Sequence, residues 1–521
     1  MRGKSPGHWL DGIAVPRPSK RGVHLLKALS DSYKSDSDRL YRTSPSAWPP
    51  SSAGAMPLSA LLAFPPSLRY VLLATLLLVP HLAGAASVCV MRSGERMLLV
   101  QDATSRWQLP GGTSEQGELP WHTATRETLE ETGLAVATAH LLEDKAGVHV
   151  FACRALKPVQ VQGNAVNLLG APHLGREIIQ ARWVSRDGAR QLRTRFPQQL
   201  ERAYQRLHAV AESEVRPVTR FGPASAFRQA EVDRVQRTQQ WPVRGLAVFG
   251  NVLGEFWFYL LAMPILSVAF GAQATRLMLM ALMAVTLAVQ AIKVVFPVPR
   301  PFSFDAALSL AGAAGPSMPS GHTTSATCFF VLAALWLLAR QRITGRLMRA
   351  GIVGIALLAG VVAGMARVWL GVHYWSDVAA GLLLGSAVAA VIHALSVWLA
   401  HREHPAVHER ICWASIATVS LVVGVAWQAV PLLLPFCVAL ACAVVPRAAF
   451  DRSSIGSAAL LLAGLLVLGG LCLPMAQRAE PFVLAASLQA LVYMGLGAWV
   501  AWGASAVSAW LPLQPGHQSP H

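Results

Sequence analysis

Between Lys293 and Asp377, a stretch otherwise rich in Ala, Val, Leu and Gly gathers Lys293, Arg300, Ser320, His322, Arg367, His373 and Asp377. Ionisable groups are costly at membrane depth, so those present there generally serve a function. The spacing reads Lys-x6-Arg-Pro, then Pro-Ser-Gly-His, then Arg-x5-His-x3-Asp. Three cations, a Ser hydroxyl and the backbone of a Pro-Ser-Gly turn suit the three equatorial oxygens of a transferring phosphoryl group. One His can attack phosphorus and the second can protonate the leaving oxygen. Asp377, four residues after His373 on one helical face, can fix its tautomer. No carboxylate cluster adjoins these motifs in sequence, so this chemistry calls for no metal cofactor.

The three motifs resemble the type 2 phosphatidic acid phosphatase family, integral-membrane enzymes that dephosphorylate lipid phosphates without metal. The resemblance implies His373 as nucleophile, Asp377 as its orienter and His322 as general acid. It implies Lys293, Arg300, Ser320, Gly321 and Arg367 as phosphate ligands. The family usually places Ser before the third-motif Arg; here that residue is Ala366. Phosphatidic acid, phosphatidylglycerophosphate, lipid A and polyprenyl diphosphate are the substrates this implies, with polyprenyl diphosphate preferred.

A second acidic constellation lies upstream. On a helix expected from about Leu119 to Thr132, Glu127, Glu130 and Glu131 stand at i, i+3 and i+4. Three carboxylates on one face repel each other unless a divalent cation lies between them, and oxygen-only ligation suits Mg²⁺ or Mn²⁺. The run from Gly112 to Gly133, with Glu118, Arg126 and the three Glu residues, resembles the Nudix box. That resemblance implies an α/β/α sandwich that hydrolyses diphosphate bonds in small diphosphate-linked molecules. Glu127, Glu130 and Glu131 would bind the metal, Glu118 and Arg126 would support the loop and helix, and Gly112 would permit the turn. Thr128 departs from the pattern, since an aliphatic residue usually packs inward there. A fourth acidic ligand or base is open among Glu143, Asp144 and Glu177.

The elements that must position these groups follow from composition. With 54% hydrophobic and only 14% charged residues, and a mean hydropathy of +0.43, much of the chain is membrane. The net charge of +17 is spread over the N-terminal tail, the soluble region and short loops, which argues against nucleic acid as a partner. Residues 1–55 read as a disordered tail or an over-extended start. Residues 56–86 resemble a signal peptide or a membrane anchor.

Residues 87–210 read as the soluble α/β domain. They open with a hairpin of Val88–Met91 and Met97–Val100, and add strands at Val148–Cys153 and Ile178–Val184 and a helix at Phe196–Leu207. Residues 211–243 read as a linker or interfacial helix, 244–400 as the phosphatase core, and 401–521 as additional helices. The membrane part is expected to be an all-α bundle of about nine spans, at 246–268, 276–296, 322–340, 349–366, 377–400, 411–430, 431–446, 455–473 and 483–503. Residues 302–318 are expected to loop over the site.

Parity along these spans places all three motifs on one face. Arg276, Arg340, Arg342, Arg346, Arg349, Arg402, Arg410, Arg447 and Arg452 fall on the other, which the positive-inside rule makes cytoplasmic. Both chemical sites are therefore expected on the outer, periplasmic face of a bacterial inner membrane. In such an oxidising compartment Cys89 and Cys153 can pair as a disulfide, or else remain two buried thiols. A transporter that has kept the motifs is a competing reading.

Overall fold

Period-two alternation with Gly94 at the turn (φ +57°) closes the first hairpin. It joins β1 (Ala86–Ser93) to β2 (Arg96–Asp102), with Arg92 opposite Met97. The computed structural model describes residues 85–507 apart from 146, 223–224, 428, 446–454, 480–481 and 505. The expected tail and nearly all of the expected signal or anchor, with Arg447 and Arg452, lie outside the described residues.

The soluble domain continues through β3 (Trp107–Gln108), β4 (Gly111–Thr113), α1 (Pro120–Thr132), β5 (Val136–Lys145), β6 (Val148–Ala155), β7 (Val159–Gln162), β8 (Ala165–Val166), β9 (Ile178–Ser185), α2 (Arg186–Arg190) and α3 (Pro197–Gln205). A last strand, β10 (Val215–Pro217), completes a mixed sheet of order β10-β7-β8-β9-β2-β1-β6-β5, in which β1 runs parallel to β6. Alternation along β1 and β2 sends Cys89, Met91, Leu98 and Val100 to one core, which includes Ala124 of α1. Val88, Val90, Met97 and Leu99 go to the other, with Leu200, Ala203 and Tyr204 of α3. The result is the expected α/β/α layering. Cys89 and Cys153, on adjacent strands, form a disulfide.

The stretch 211–243 is more than a linker. Besides supplying β10, it forms α4 (Ala226–Gln239), capped by the Ser225 side chain. Val232 and Val235 of α4 are buried with Phe304, Leu308, Val368, Tyr374 and Val378. Its Arg and Gln residues gave it a solvated composition, while four positions on one face, Glu231, Val232, Val235 and Thr238, are buried.

Seven helices among the described residues are long and apolar enough to cross a bilayer, where about nine spans were expected. The first expected span, 246–268, is cut by a break. A short helix, α5 (Arg244–Val252), ends before Glu255, whose extended backbone starts α6 (Phe256–Val295). Within α6, Gly271 adopts φ +88° and interrupts the helix, so the expected 246–268 and 276–296 lie on either side of this break.

Then come α7 (Gly321–Arg340), α8 (Arg346–Trp369), α9 (Trp375–Ala400) and α10 (Pro405–Ala426). They are followed by α11 (Leu433–Val444), part of a shorter apolar stretch that replaces the expected 431–446 span. The last are α12 (Ile455–Arg478) and α13 (Phe482–Ala498).

Helix α7 sits between α8 and α9 at close range because small residues face it. A side chain at Gly360 of α8 would strike Thr327, one at Gly364 would strike Val378 of α9 and press on Thr323, and one at Gly381 or Gly385 of α9 would strike Thr323, Thr324 or Thr327. Glycine and threonine at such crossings let helix backbones approach in lipid. This tight triplet fixes the helix ends that carry the second and third motifs.

Candidate functional site

The first motif straddles the end of α6, the second opens α7, and the third spans the end of α8 and the start of α9. Ser320 caps α7 by accepting the Thr323 N–H, and its own N–H donates to the Asp377 backbone carbonyl at 3.2 Å. Asp377 is 1% exposed. Its Oδ2 accepts the Tyr374 N–H at 2.8 Å, the Ser317 hydroxyl, and His373 Nδ1 at 3.2 Å. A carboxylate so fixed sets the ring's tautomer and leaves Nε2 as the reactive nitrogen. That Nε2 lies 3.3 Å from Arg300 Nη1.

Arg300 is fully engaged as it stands. Its Nε donates to Gly315 O at 2.8 Å, Nη1 to Val372 O at 2.7 Å and Nη2 to Ala314 O at 2.7 Å. These bonds fold the 314–316 turn against the third motif, and a phosphoryl oxygen would have to displace one of them. Arg367 has spare capacity: Nη1 donates to Asn251 Oδ1 at 2.8 Å, while its buried Nε has no protein partner. Lys293, 8% exposed, lies within electrostatic reach of Arg300, Arg367 and Asp377. All the expected site residues of the three motifs thus gather at one end of the helices.

Both ends of α6 reach this place, since Glu255 meets His322 Nε2 at 3.3 Å and Lys293 lies among the cations. A straight helix of 40 residues would separate its ends by about 60 Å, so the chain reverses at Gly271. Asn251 and Glu255 are site residues that the motifs missed. Their signal was available: two polar side chains at i, i+4 in an apolar window.

The acidic constellation is built on the turn before α1 and on α1 itself. Glu118 accepts Arg126 Nε at 2.9 Å and Nη2 at 3.0 Å, and the Glu115 N–H at 3.1 Å. The Arg126 guanidinium holds the Glu118 carboxyl down to about 2. Arg126 also pairs with Glu127 at 3.0 Å and Glu130 at 2.8 Å. The bare Cα of Gly112 packs on the Glu127 carboxylate, where any side chain would collide. Gly133 ends α1 in the left-handed region at φ +71°, against the backbone of Gly170. Thr128, the departure from the box, is fully buried and satisfied by donating to Ala124 O at 2.7 Å.

Glu131 is 4% exposed and accepts the Gly111 N–H at 2.8 Å. Burial raises it well above the usual carboxylate range; the Gly111 N–H opposes this, and Glu127, Glu177 and Asp102 add to the rise. Of the three acids left open, Glu177 is the one in electrostatic reach of Glu127 and Glu131, and it pairs with His173 at 3.0 Å. Glu143 is held by Arg202 at 2.7 Å, and Asp144 lies 3.7 Å from His149. Mutually repelling carboxylates of this kind are a donor set that suits a hard divalent cation. Among the described residues, however, no three acidic or His side chains converge closely enough to hold one as they stand, because Arg126 occupies Glu127 and Glu130.

The soluble domain rests on the loop before α7. Gln162 donates to Asp305 Oδ1 at 2.8 Å and accepts the Ala306 N–H at 2.7 Å. Arg220 Nε meets Asp305 Oδ2 at 3.0 Å. Ile179 is buried with Phe302 and Val372. Arg106 and Arg193 donate to Gln477 O at the end of α12.

Two family models match separate parts of the chain. The family model described as NUDIX domain matches residues 81–207, and that described as PAP2 superfamily matches residues 274–401. A curated relative, nucleoside diphosphate-linked moiety X motif 6 of Xenopus laevis, is 42% identical over 57 residues, which is 10% of this chain and 26% of that protein. Among solved structures, a NUDIX hydrolase from Nitrosomonas europaea is 21% identical, with 24% of this chain and 88% of that chain covered and a TM-score of 0.20. An ADP-ribose pyrophosphatase from Streptococcus suis is 20% identical, with coverage of 26% and 97% and a TM-score of 0.19.

Proposed function

We propose that this chain, which carries a NUDIX domain ahead of a PAP2 superfamily domain, is a membrane phosphatase for a lipid phosphate or diphosphate with a diphosphate hydrolase on the same face. The observation that carries the reading is the buried meeting of the His373–Asp377 pair with Arg300, Lys293 and Arg367 at the ends of apolar helices. A polyprenyl diphosphate is the preferred substrate, because the site faces the outer leaflet under the positive-inside assignment.

His373 Nε2 attacks phosphorus while Asp377 holds Nδ1. The N–P bond forms as the bond from phosphorus to the leaving oxygen breaks, and His322 gives that oxygen its proton. Water then attacks the phosphohistidine, returns a proton to His322 and frees His373 and phosphate. Lys293, Arg300 and Arg367 meet the charge on the equatorial oxygens, with one Arg300 carbonyl contact exchanged for phosphate.

In the soluble domain Glu127, Glu130 and Glu131 would hold Mg²⁺ or Mn²⁺. When bound, the cation would offset their repulsion and polarise a diphosphate oxygen. Arg126 would then keep Glu118 and the preceding turn in place. The engagement of Glu127 and Glu130 by Arg126 supports a second reading, in which this domain binds a diphosphate ligand without turning it over.

The outer, periplasmic placement in a bacterial inner membrane is supported by the Cys89–Cys153 disulfide and by Arg276, Arg340, Arg346 and Arg402 on the opposite face. The test is phosphate release by the purified full-length protein from polyprenyl diphosphate, phosphatidylglycerophosphate and a nucleoside diphosphate sugar, each with Mg²⁺ and with EDTA. Lipid turnover that survives EDTA, with Mg²⁺-dependent cleavage of the sugar nucleotide, is the expected result. Loss of all lipid turnover in EDTA would move the chemistry to the Glu127–Glu131 cluster.

A further inference from the structure

Glu255 belongs to none of the motifs, yet its Oε1 stands 3.3 Å from His322 Nε2. Asn251 braces the pair: its Nδ2 donates to Glu255 Oε1 at 2.8 Å, and its Oδ1 accepts from Arg367 Nη1 at 2.8 Å. A continuous chain of bonds therefore runs from the second-motif histidine through a carboxylate and an amide to a phosphate-site cation. We propose that Glu255 is the positioning carboxylate of His322, holding Nε2 so that Nδ1 faces the leaving oxygen, as Asp377 holds His373.

The inference rests on reading His322 as the general acid. Three features of the fold support it. Glu255 lies at the break between α5 and α6, with extended backbone at φ −79° and ψ 147°, so its carboxylate is set by the corner. Gly254 beside it has its bare Cα against the His322 ring, where any side chain would collide with Cβ, Cγ and Cδ2. The charged groups facing His322 are Glu255 from this corner, Arg367 from α8 and Lys293 from α6, and His373 also lies in electrostatic reach.

The two cations repel a protonated imidazole, and Glu255 attracts it. An acid catalyst must carry its proton when the bond to the leaving oxygen breaks, so the carboxylate has a task here that a surface ion pair lacks. Glu255 itself makes and breaks no bond. The proton passes from His322 Nδ1 to the leaving oxygen and is regained from the attacking water.

The test exploits leaving-group chemistry in the purified full-length protein with EDTA. A short-chain phosphatidic acid has an alkoxide leaving group that needs a proton, whereas p-nitrophenyl phosphate does not. Glu255→Gln is expected to lower kcat on the phosphatidic acid by roughly tenfold to a hundredfold and to change kcat on the aryl ester by less than about threefold. The alkaline limb of the phosphatidic acid profile should move to lower pH. Glu255→Asp should restore part of the loss, and Asn251→Ala should reproduce it more weakly.

Equal losses on both substrates, or an unchanged pH profile in Glu255→Gln, would overturn the inference. Absence of EDTA-resistant turnover in the unmutated protein would instead remove the phosphatase reading, and this inference with it.

Discussion

Glu231 Oε2 accepts the backbone N–H of Ser376 at 3.1 Å, so the helix that leaves the soluble domain caps the helix that carries Asp377. Glu231 is 2% exposed and pairs with Arg234 at 2.6 Å. Two turns further on, Thr238 Oγ1 accepts Trp375 Nε1 at 3.0 Å, and Arg228 lies over the Tyr374 ring at 4.5 Å. The loop between Arg367 and Asp377 is thus clamped from outside the phosphatase motifs.

Glu231→Ala should therefore weaken both stability and catalysis. It removes a carboxylate from the N-terminus of α9 and takes away the partner of the half-buried Ser376 N–H, at a cost of about 0.5–1.5 kcal/mol. Thermal unfolding in detergent should fall accordingly, and kcat on a lipid phosphate should fall with KM little changed. A variant with wild-type kcat would show that α4 is only a tether.

His373→Ala should abolish EDTA-resistant lipid phosphatase activity, because its ring is held by the buried Asp377 carboxylate with Nε2 beside Arg300. The unmutated protein, quenched during turnover of a labelled substrate, should carry acid-labile, alkali-stable phosphate, and His373→Ala should carry none. Label retained in the variant would reassign the nucleophile.

The three motifs were legible because each residue type is chemically unusual in its surroundings and the spacing repeats a known pattern. Glu255 and Asn251 were passed over although their i, i+4 spacing was visible, since a hydropathy window over 246–268 dilutes two polar residues among apolar ones and hides the break at Leu253–Glu255. Glu231 was concealed by the opposite effect, an Arg- and Gln-rich composition in which one buried face disappears. The choice of Glu177 over Glu143 and Asp144 is tertiary: which acid reaches Glu131 depends on how the turn before β9 lies over α1, and local sequence does not encode that distance. The α/β/α layering followed from the resemblance to the Nudix box, and the alternation in β1 and β2 agrees with it, since each face has its own helix to bury it.

Glu118 gives the soluble domain a defined acid dependence. Its folded pKa, held near 2 chiefly by Arg126, lies below the ordinary Glu value of about 4.3. A depressed carboxyl contributes stability that is present above the unfolded pKa and lost as pH falls through the folded one. Glu118→Gln should thus lower stability at neutral pH and flatten its pH dependence between about 4.3 and 2. Parallel curves for the two proteins in acid titration, followed by circular dichroism, would exclude the Arg126–Glu118 bond as the cause.

The Cys89–Cys153 bond joins β1 to β6, whose strands run parallel through the middle of the sheet, and closes a loop with a sequence separation of 64. A cross-link of this length restricts the unfolded chain and contributes roughly 2–4 kcal/mol. Protein exported and purified without reductant should therefore take up fewer alkyl groups under denaturing conditions than reduced protein, by two. Reduction should also lower the unfolding midpoint of the soluble domain while leaving the membrane helices unaffected. Equal alkylation mass with and without reductant would dismiss the bond and withdraw its support for an oxidising compartment. The outer placement would then stand on the arginine distribution alone.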